Sequence, residues 1–481
     1  MNNKTYITTT LPYVNAEPHI GHALEFVQAD TIARYFRQKL GKENVFFNVG
    51  TDEHGQKIFK KAQEENISIQ QFVDKYSNRF KEYCKLFFVE YDNFYRTSTK
   101  EHAQIAQKFW TTCKKNGDIY KKQYSGYYCV GCERFITEKE LVDGKCPDHA
   151  TEPELKEEEN YFFRLSKYRD ILLKWLEENP EVVKPKNAYD ELKKIIGEIE
   201  DISISRVKEH LPWGIDVPED NSQVLYVWFD ALTNYVASVG FGIDKERFNE
   251  WWPNTIQFFG PDNLRFQGAI WQGMLASAKL PHTKKLLRHG MVLGSDGRKM
   301  AKTLGNIVSP FEQAEKYSAE IVRFYLLAGI STFADGAYKE DDLVNMYNAR
   351  LANNYGNLLN RVIHLANAKE VNINEEENVE REFKQKVDEY KNEIEKSYEE
   401  FEIFIALEKV DELADWGNKY ITEKEPWSKN LSKEKCQTIL NNLSYLLETV
   451  SHLYYPAIPI SANKAKKALK NREKIILFNK L

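Results

Sequence analysis

The chain reads as an α/β protein built on a doubly wound parallel sheet, followed by an all-helical region. Three observations predict this. Strand-like apolar runs alternate with helical patterns in two blocks, the interval between the blocks breaks the rhythm, and the chain turns almost entirely helical beyond Pro310. In the first block a strand at residues 7–11 precedes an amphipathic helix at 22–40. A second strand at 45–49 then runs into Gly50-Thr51-Asp52-Glu53-His54-Gly55, which opens another helix. The second block resumes with the apolar run 224–229 as a strand before a helix from Asp230, then 256–259 before a helix from Asn263, then 286–293 leading into a Lys-rich loop. Strands alternating with helices pair in parallel, and such sheets bind ligands beyond the carboxyl ends of their strands. Residues 118–224 form an insertion marked by Gly/Tyr-rich turns, clustered cysteines and an acidic run. The segments expected are therefore 1–117, 118–224, 225–309, 310–345 and 346–481.

Composition narrows the function classes. At 481 residues and 42% hydrophobic content the chain can bury several cores, and its longest apolar runs are strand length, too short for a membrane span. A net charge of −5 excludes a uniformly basic nucleic-acid binder, so any such contact uses local patches. One candidate is the C-terminal stretch 464–481, with seven Lys or Arg against one Glu. The first strand begins so near Met1 that no leader is expected, and the six cysteines suit a reducing, cytoplasmic compartment without a disulfide framework.

Two motifs carry the chemistry. His19-Ile20-Gly21-His22 lies between a strand and a helix. Backbone N–H groups and imidazoles at a helix start suit phosphate, and Gly21 permits close approach to the main chain. Lys299-Met300-Ala301-Lys302-Thr303 follows the turn-rich Gly294-Ser295-Asp296-Gly297-Arg298 and offers two ammonium groups on a loop able to close over a triphosphate. In the insertion, Cys129-x2-Cys132 and Cys146-x2-His149 supply three thiolates and an imidazole. That set closes a tetrahedral Zn2+ site with no position left for a catalytic water, so the metal is structural.

With these motifs, the segments 12–22, 50–55, 226–231 (Tyr226-Val227-Trp228-Phe229-Asp230-Ala231) and 356–361 (Gly356-Asn357-Leu358-Leu359-Asn360-Arg361) make the sequence resemble the methionyl-tRNA synthetases over nearly its whole length. The single knuckle is similar to the one-zinc branch of that family, and the compact insertion lacks room for a large editing domain. The resemblance implies a Rossmann-like catalytic domain with a zinc-knuckle insertion, a stem-contact linker and an α-helical bundle that binds the anticodon. It implies L-methionine, ATP with Mg2+ and tRNA(Met) as substrates and partners. His19, Gly21, His22, Lys299 and Lys302 would hold ATP, with the two His and two Lys acting in catalysis. Asp52 would bind the substrate ammonium with Arg206 as its partner, and Leu11, Tyr13, Trp228, Ala231, Leu232 and Tyr235 would wall the methionine pocket. Asn357, Arg361 and Trp427 would read the anticodon. The chain ends without an appended dimerisation domain, so a monomer is expected.

Two departures from the family pattern stand out. Asn263 and Gln267 occupy pocket positions where an apolar residue and a His are usual, and the Lys loop carries Ala301 and Thr303 in place of two Ser. Two other readings compete. A cysteine-specific synthetase would place zinc in the catalytic pocket rather than in the insertion, and a non-catalytic tRNA-binding descendant would have no need of all four His and Lys residues.

Overall fold

The computed structural model describes residues 4–129, 134–136, 138–147, 151–300, 305–373 and 379–481. The chain forms two compact units: Met1–Pro18, Glu43–Cys84 and Glu90–His289 make the first, and His19–Lys42, Lys85–Val89 and Gly290–Leu481 the second.

A six-stranded sheet organises the first unit. Its strands are β1 (Thr5–Thr8), β2 (Val45–Thr51), β3 (Asn93–Arg96), β4 (Val183–Lys184), β5 (Thr255–Phe259) and β6 (Lys285–Arg288), in the order β3-β2-β1-β5-β6-β4. Every pairing is parallel; Ile7, for example, is in register with Phe47 on one side and Ile256 on the other. Residues of β5 are buried on both faces, as parallel strands covered by crossover connections must be, which is why their apolar runs lack alternation. The strand order reverses direction between β1 and β5, the arrangement expected of a doubly wound fold.

Three sequence expectations are corrected here. The run 224–229 is not a strand of this sheet: Asp220–Leu225 pairs antiparallel with Ser205–Val207 in a separate sheet, and Val227–Leu232 is already helical. A continuous apolar run has no period with which to distinguish a strand from a buried helix. The run 286–293 divides into β6 and a short strand, Val292–Leu293, that belongs to the second unit and pairs with Gly336–Ala337. The break falls at Gly290, where a Cβ would stand 2.0 Å from the Ala334 carbonyl oxygen. The insertion is also less separate than its composition suggests. Besides the long antiparallel pair Ile119–Cys129 and Glu154–Phe163, it sends β4 back into the central sheet.

Helices build the second unit: α1 (Ile20–Leu40), α2 (Ala319–Ala328), α3 (Asn357–Lys369), α4 (Arg381–Glu399), α5 (Ile403–Lys424), α6 (Lys433–Tyr454) and α7 (Pro459–Asn471). Leu358, Val362, Leu413 and Leu446 are among its fully buried side chains. α1 is buried on most sides from Ala23 to Tyr35, including Asp30 and Arg34. Those charges are matched by the fully buried Arg323 of α2, which reaches Asp30 at 2.6 Å, Thr31 Oγ1 at 3.1 Å and the carbonyls of Phe87, Pro456 and Ala457 at 2.8–3.0 Å. Arg34 donates to the same Asp30 carboxylate at 2.7 Å and to the Phe88 carbonyl. A buried cation without such partners would be strongly destabilising, so this cluster fixes how α1, α2 and the turn after α6 meet.

Candidate functional site

In the first unit, β2 ends at Thr51 and delivers Asp52 to the carboxyl edge of the sheet. The backbone of Asp52 is clamped, its N–H donating to the Pro12 carbonyl (2.9 Å) and its carbonyl accepting from Val14 (3.1 Å), so Tyr13 lies directly beside it. Gly50 is required here because a Cβ would stand 2.0 Å from the Tyr95 carbonyl of β3 and 3.0 Å from Leu11 Cδ2. Next to Asp52, the buried Glu53 carboxylate accepts from Arg96 at 2.7 and 3.0 Å and from Ser98. This fixes the turn that follows β2.

Arg206, in the strand Ser205–Val207, donates to Ser203 Oγ (2.9 Å) and the Ser205 carbonyl (2.7 Å), and its guanidinium lies over the Tyr226 ring at 4.4 Å. Trp228 stacks on Phe266 with centroids 3.8 Å apart and planes within 14°. Ala231, Leu232 and Tyr235 are buried beyond it, whereas Asn263 is only partly buried. Gln267 is buried and donates to the Tyr235 hydroxyl at 2.7 Å, so this departure from the family pattern still places a polar group beside Tyr235.

The helix bearing Trp228 is anchored by a group the sequence did not single out. Asp230 is fully buried between two imidazoles, with His54 Nδ1 at 2.7 Å and His102 Nε2 at 2.6 Å. Burial alone would raise its carboxyl pKa, but the two histidines more than offset that and hold it below the usual carboxylate range. Phe266 and His102 were likewise not identified from sequence. Their partners are distant in the chain, and only the presence of Asp230 within the 226–231 motif hinted at a role.

In the second unit, His19 is the N-cap of α1. Its Nδ1 accepts from the Gly21 N–H (3.2 Å), while the His19 N–H donates to His22 Nδ1 (3.3 Å). The rings stack at 3.9 Å. Because both Nδ1 atoms accept, both protons sit on Nε2, and each ring presents one N–H donor. Burial lowers the His19 pKa to about 4; burial and the His19 ring push His22 well below its ordinary value. These imidazoles are therefore neutral donors at physiological pH.

The α1 start is held beside the end of the Lys loop, since the Ile20 N–H donates to the Val308 carbonyl at 3.3 Å. That loop begins as a tight turn: Gly294 N–H donates to the Arg298 carbonyl (2.9 Å), Gly297 takes a positive φ of 74°, and Leu293 bridges Lys299. Asn306 closes it with bonds of 3.4 Å to Asp296 Oδ1 and to the Lys299 carbonyl. Lys299 is exposed; Lys302 lies outside the described residues. The same unit carries a groove of about 480 Å3 lined by Asn353, Asn357, Arg361, Asp415, Asn418 and Thr422 among others. Asn357 and Arg361 both donate to Asn418 Oδ1 at 3.5 Å, and the Arg361 guanidinium lies 5.6 Å from the ring of Trp427, which is 43% exposed.

Of the four knuckle residues, Cys129 and Cys146 are buried in one small cluster with Ile136 and Leu141. Cys132 and His149 lie outside the described residues.

Residues 5–152 and 148–363 match the family model described as tRNA synthetases class I (M). The methionine–tRNA ligase of Thermotoga maritima is 38% identical over 482 residues, covering 98% of this chain and 76% of that protein. The methionine–tRNA ligase of Thermosynechococcus vestitus is 38% identical over 467 residues, covering 94% and 87%. The chain belongs to the methionyl-tRNA synthetase family. A solved structure of Mycobacterium tuberculosis methionyl-tRNA synthetase in complex with methionyl-adenylate superposes with a TM-score of 0.90 at 32% identity, covering 96% of this chain and 93% of that one. Membership accounts for the parallel sheet, the capped helix start and the helical unit together, as parts of one methionyl-tRNA synthetase architecture. Among the described residues no helix is long and apolar enough to cross a membrane.

Proposed function

We propose that the chain activates L-methionine with ATP, giving methionyl-adenylate and pyrophosphate, and transfers the methionyl group to tRNA(Met). The observation that carries this reading is family membership across nearly the full chain, supported by the donor geometry at His19 and His22.

In the first step a methionine carboxylate oxygen attacks the α-phosphorus of ATP, and pyrophosphate leaves with the electron pair of the broken P–O bond. In the second, a terminal ribose hydroxyl of the tRNA attacks the adenylate carbonyl and AMP leaves. The substrates supply both nucleophiles, so the protein contributes orientation and stabilisation of developing charge. Asp52 would select the α-ammonium with Arg206 as its partner, a pairing of a carboxylate at a strand end with a free amine. Leu11, Tyr13, Trp228, Ala231, Leu232 and Tyr235 would enclose the side chain, with Asn263 and Gln267 at its far end; aromatic rings suit a polarisable thioether. The Nε2–H groups of His19 and His22 and the main chain at Gly21 would hold the triphosphate with its Mg2+, and Lys299 and Lys302 would neutralise charge as pyrophosphate departs. Cys129, Cys132, Cys146 and His149 would hold a Zn2+ that supplies folding energy to the insertion and no chemistry. Asn357, Arg361 and Trp427 would read unpaired anticodon bases by hydrogen bonding and stacking.

Pyrophosphate exchange tests the reading. Exchange that depends on methionine, without tRNA and without response to cysteine, is expected; exchange driven better by cysteine or another natural amino acid than by methionine, or none at all, refutes it.

A further inference from the structure

We propose that Gln257, Thr283 and Gln272 form a buried relay that orients the Gln267 carboxamide. Through it they aim the Tyr235 hydroxyl proton, making them positioning residues that let the pocket tell a thioether from an aliphatic side chain. The inference rests on the reading of Tyr235 and Gln267 as the far wall of the methionine site.

All five side chains are at most 2% exposed. Buried amides are costly unless satisfied, so their donors and acceptors can be followed one by one. The sequence of constraints starts at the backbone. The Thr283 N–H, which can only donate, meets Gln272 Oε1 at 3.1 Å. The Gln272 nitrogen must therefore face the other way, where it donates to Thr283 Oγ1 (3.0 Å) and to the Gln267 carbonyl (2.9 Å). Having accepted that bond, Thr283 directs its one hydroxyl proton to Gln257 Oε1 at 2.7 Å. This turns the Gln257 nitrogen toward Gln267 Oε1 at 3.4 Å. Only the Gln267 nitrogen is then left for Tyr235, to whose oxygen it donates at 2.7 Å. A flipped Gln267 amide would set its NH2 against the Gln257 NH2, two donors with no acceptor between them, so the Gln257 contact is what selects the orientation at Tyr235.

The phenol oxygen thus accepts from the amide, and its single proton points away from it. A thioether sulfur is a weak acceptor for such a proton; the methylene of norleucine is not. A site that presents an oriented donor disfavours the isostere that cannot accept, which is a stronger filter than shape, because norleucine and methionine are nearly the same size. Among the described residues, the one titratable group against the relay is His282, whose Nδ1 lies 3.3 Å from Gln272 Oε1; burial lowers its pKa to about 4, so it and the relay are uncharged across the neutral pH range.

The test is the methionine-to-norleucine ratio of kcat/KM in pyrophosphate exchange for Thr283→Val, Thr283→Ser, Gln257→Met and Tyr235→Phe, each checked by urea unfolding. Thr283→Val and Gln257→Met are expected to raise the methionine KM about five- to tenfold and leave the norleucine and ATP KM values unchanged. Thr283→Ser, which keeps the hydroxyl, is expected to retain the wild-type ratio. If Tyr235→Phe lowers the ratio but Thr283→Val and Gln257→Met shift both amino acids equally or neither, the relay is overturned while the pocket reading stands. A Tyr235→Phe variant with the wild-type ratio overturns the pocket reading and the relay with it.

Discussion

The imidazoles at the start of α1 are neutral, so in the proposed mechanism they hold phosphate as N–H donors while positive charge comes from the Lys loop. Charge that arrives only when a loop closes acts mainly on the transition state. Lys302→Ala is therefore expected to slow adenylate formation by about 100-fold or more while changing the ATP KM only severalfold, measured by single-turnover kinetics. At the amino-acid end, Asp52→Asn is expected to reduce kcat/KM for methionine by about 100-fold, because a charge-assisted contact to the ammonium is lost. Residues such as His19 and His22 are readable in the sequence because their geometry is local: N-cap, glycine and second histidine lie within four positions. Asp230 and His102 are not readable in this way. Their contact joins positions 128 apart, and only the folded sheet brings them together.

Among the elements, the parallel strands β2 and β5 are legible as short apolar runs followed by turn residues and helices, whereas β1 begins and ends earlier than the run 7–11 that marks it, overlapping it only at Ile7 and Thr8. β4 was not, because two residues carry no periodicity and its place at the sheet edge depends on what flanks it. Residues 227–229 read as strand but are helical for the opposite reason, an excess of apolar residues without a period. The α3 and α5 groove was half legible: Asn357 and Arg361 share a helix face by spacing, but their common partner Asn418 is visible only in the fold. Arg361→Ala and Trp427→Ala are each expected to lower aminoacylation about tenfold or more through the tRNA KM, and to leave tRNA-free pyrophosphate exchange unchanged. In the insertion, Cys146→Ser is expected to abolish zinc retention and expose the Cys129–Ile136 cluster to proteolysis, as read by metal analysis and limited digestion.

For the molecule as a whole, pH couples to stability mainly through buried histidines. Burial lowers His19, His282 and His452 to about 4, and His22 lies well below its ordinary value. The unfolded chain binds these protons near pH 6.5, so their contribution is fully present above that pH and is lost as pH falls toward 4. Each histidine steepens the loss of stability in that window, and His452, the least buried of them, contributes least. Asp411 opposes them: burial raises it to about 6 against the attraction of Arg350, so its protonation below pH 6 favours the folded state. A net fall in the urea midpoint between pH 6.5 and 4.5 is expected, shallower in a His282→Gln variant. The Arg323 cluster sets how such loss propagates. A planar guanidinium serving Asp30 and Thr31 of α1 together with the carbonyls of residues 87 and 456–457 cannot release one of them while keeping the others in place. Opening of α1 and of α6 should consequently be a single kinetic event, and their slowest-exchanging backbone amides should share one exchange rate, with the His19–His22 turn frayed only when the helical unit itself comes apart.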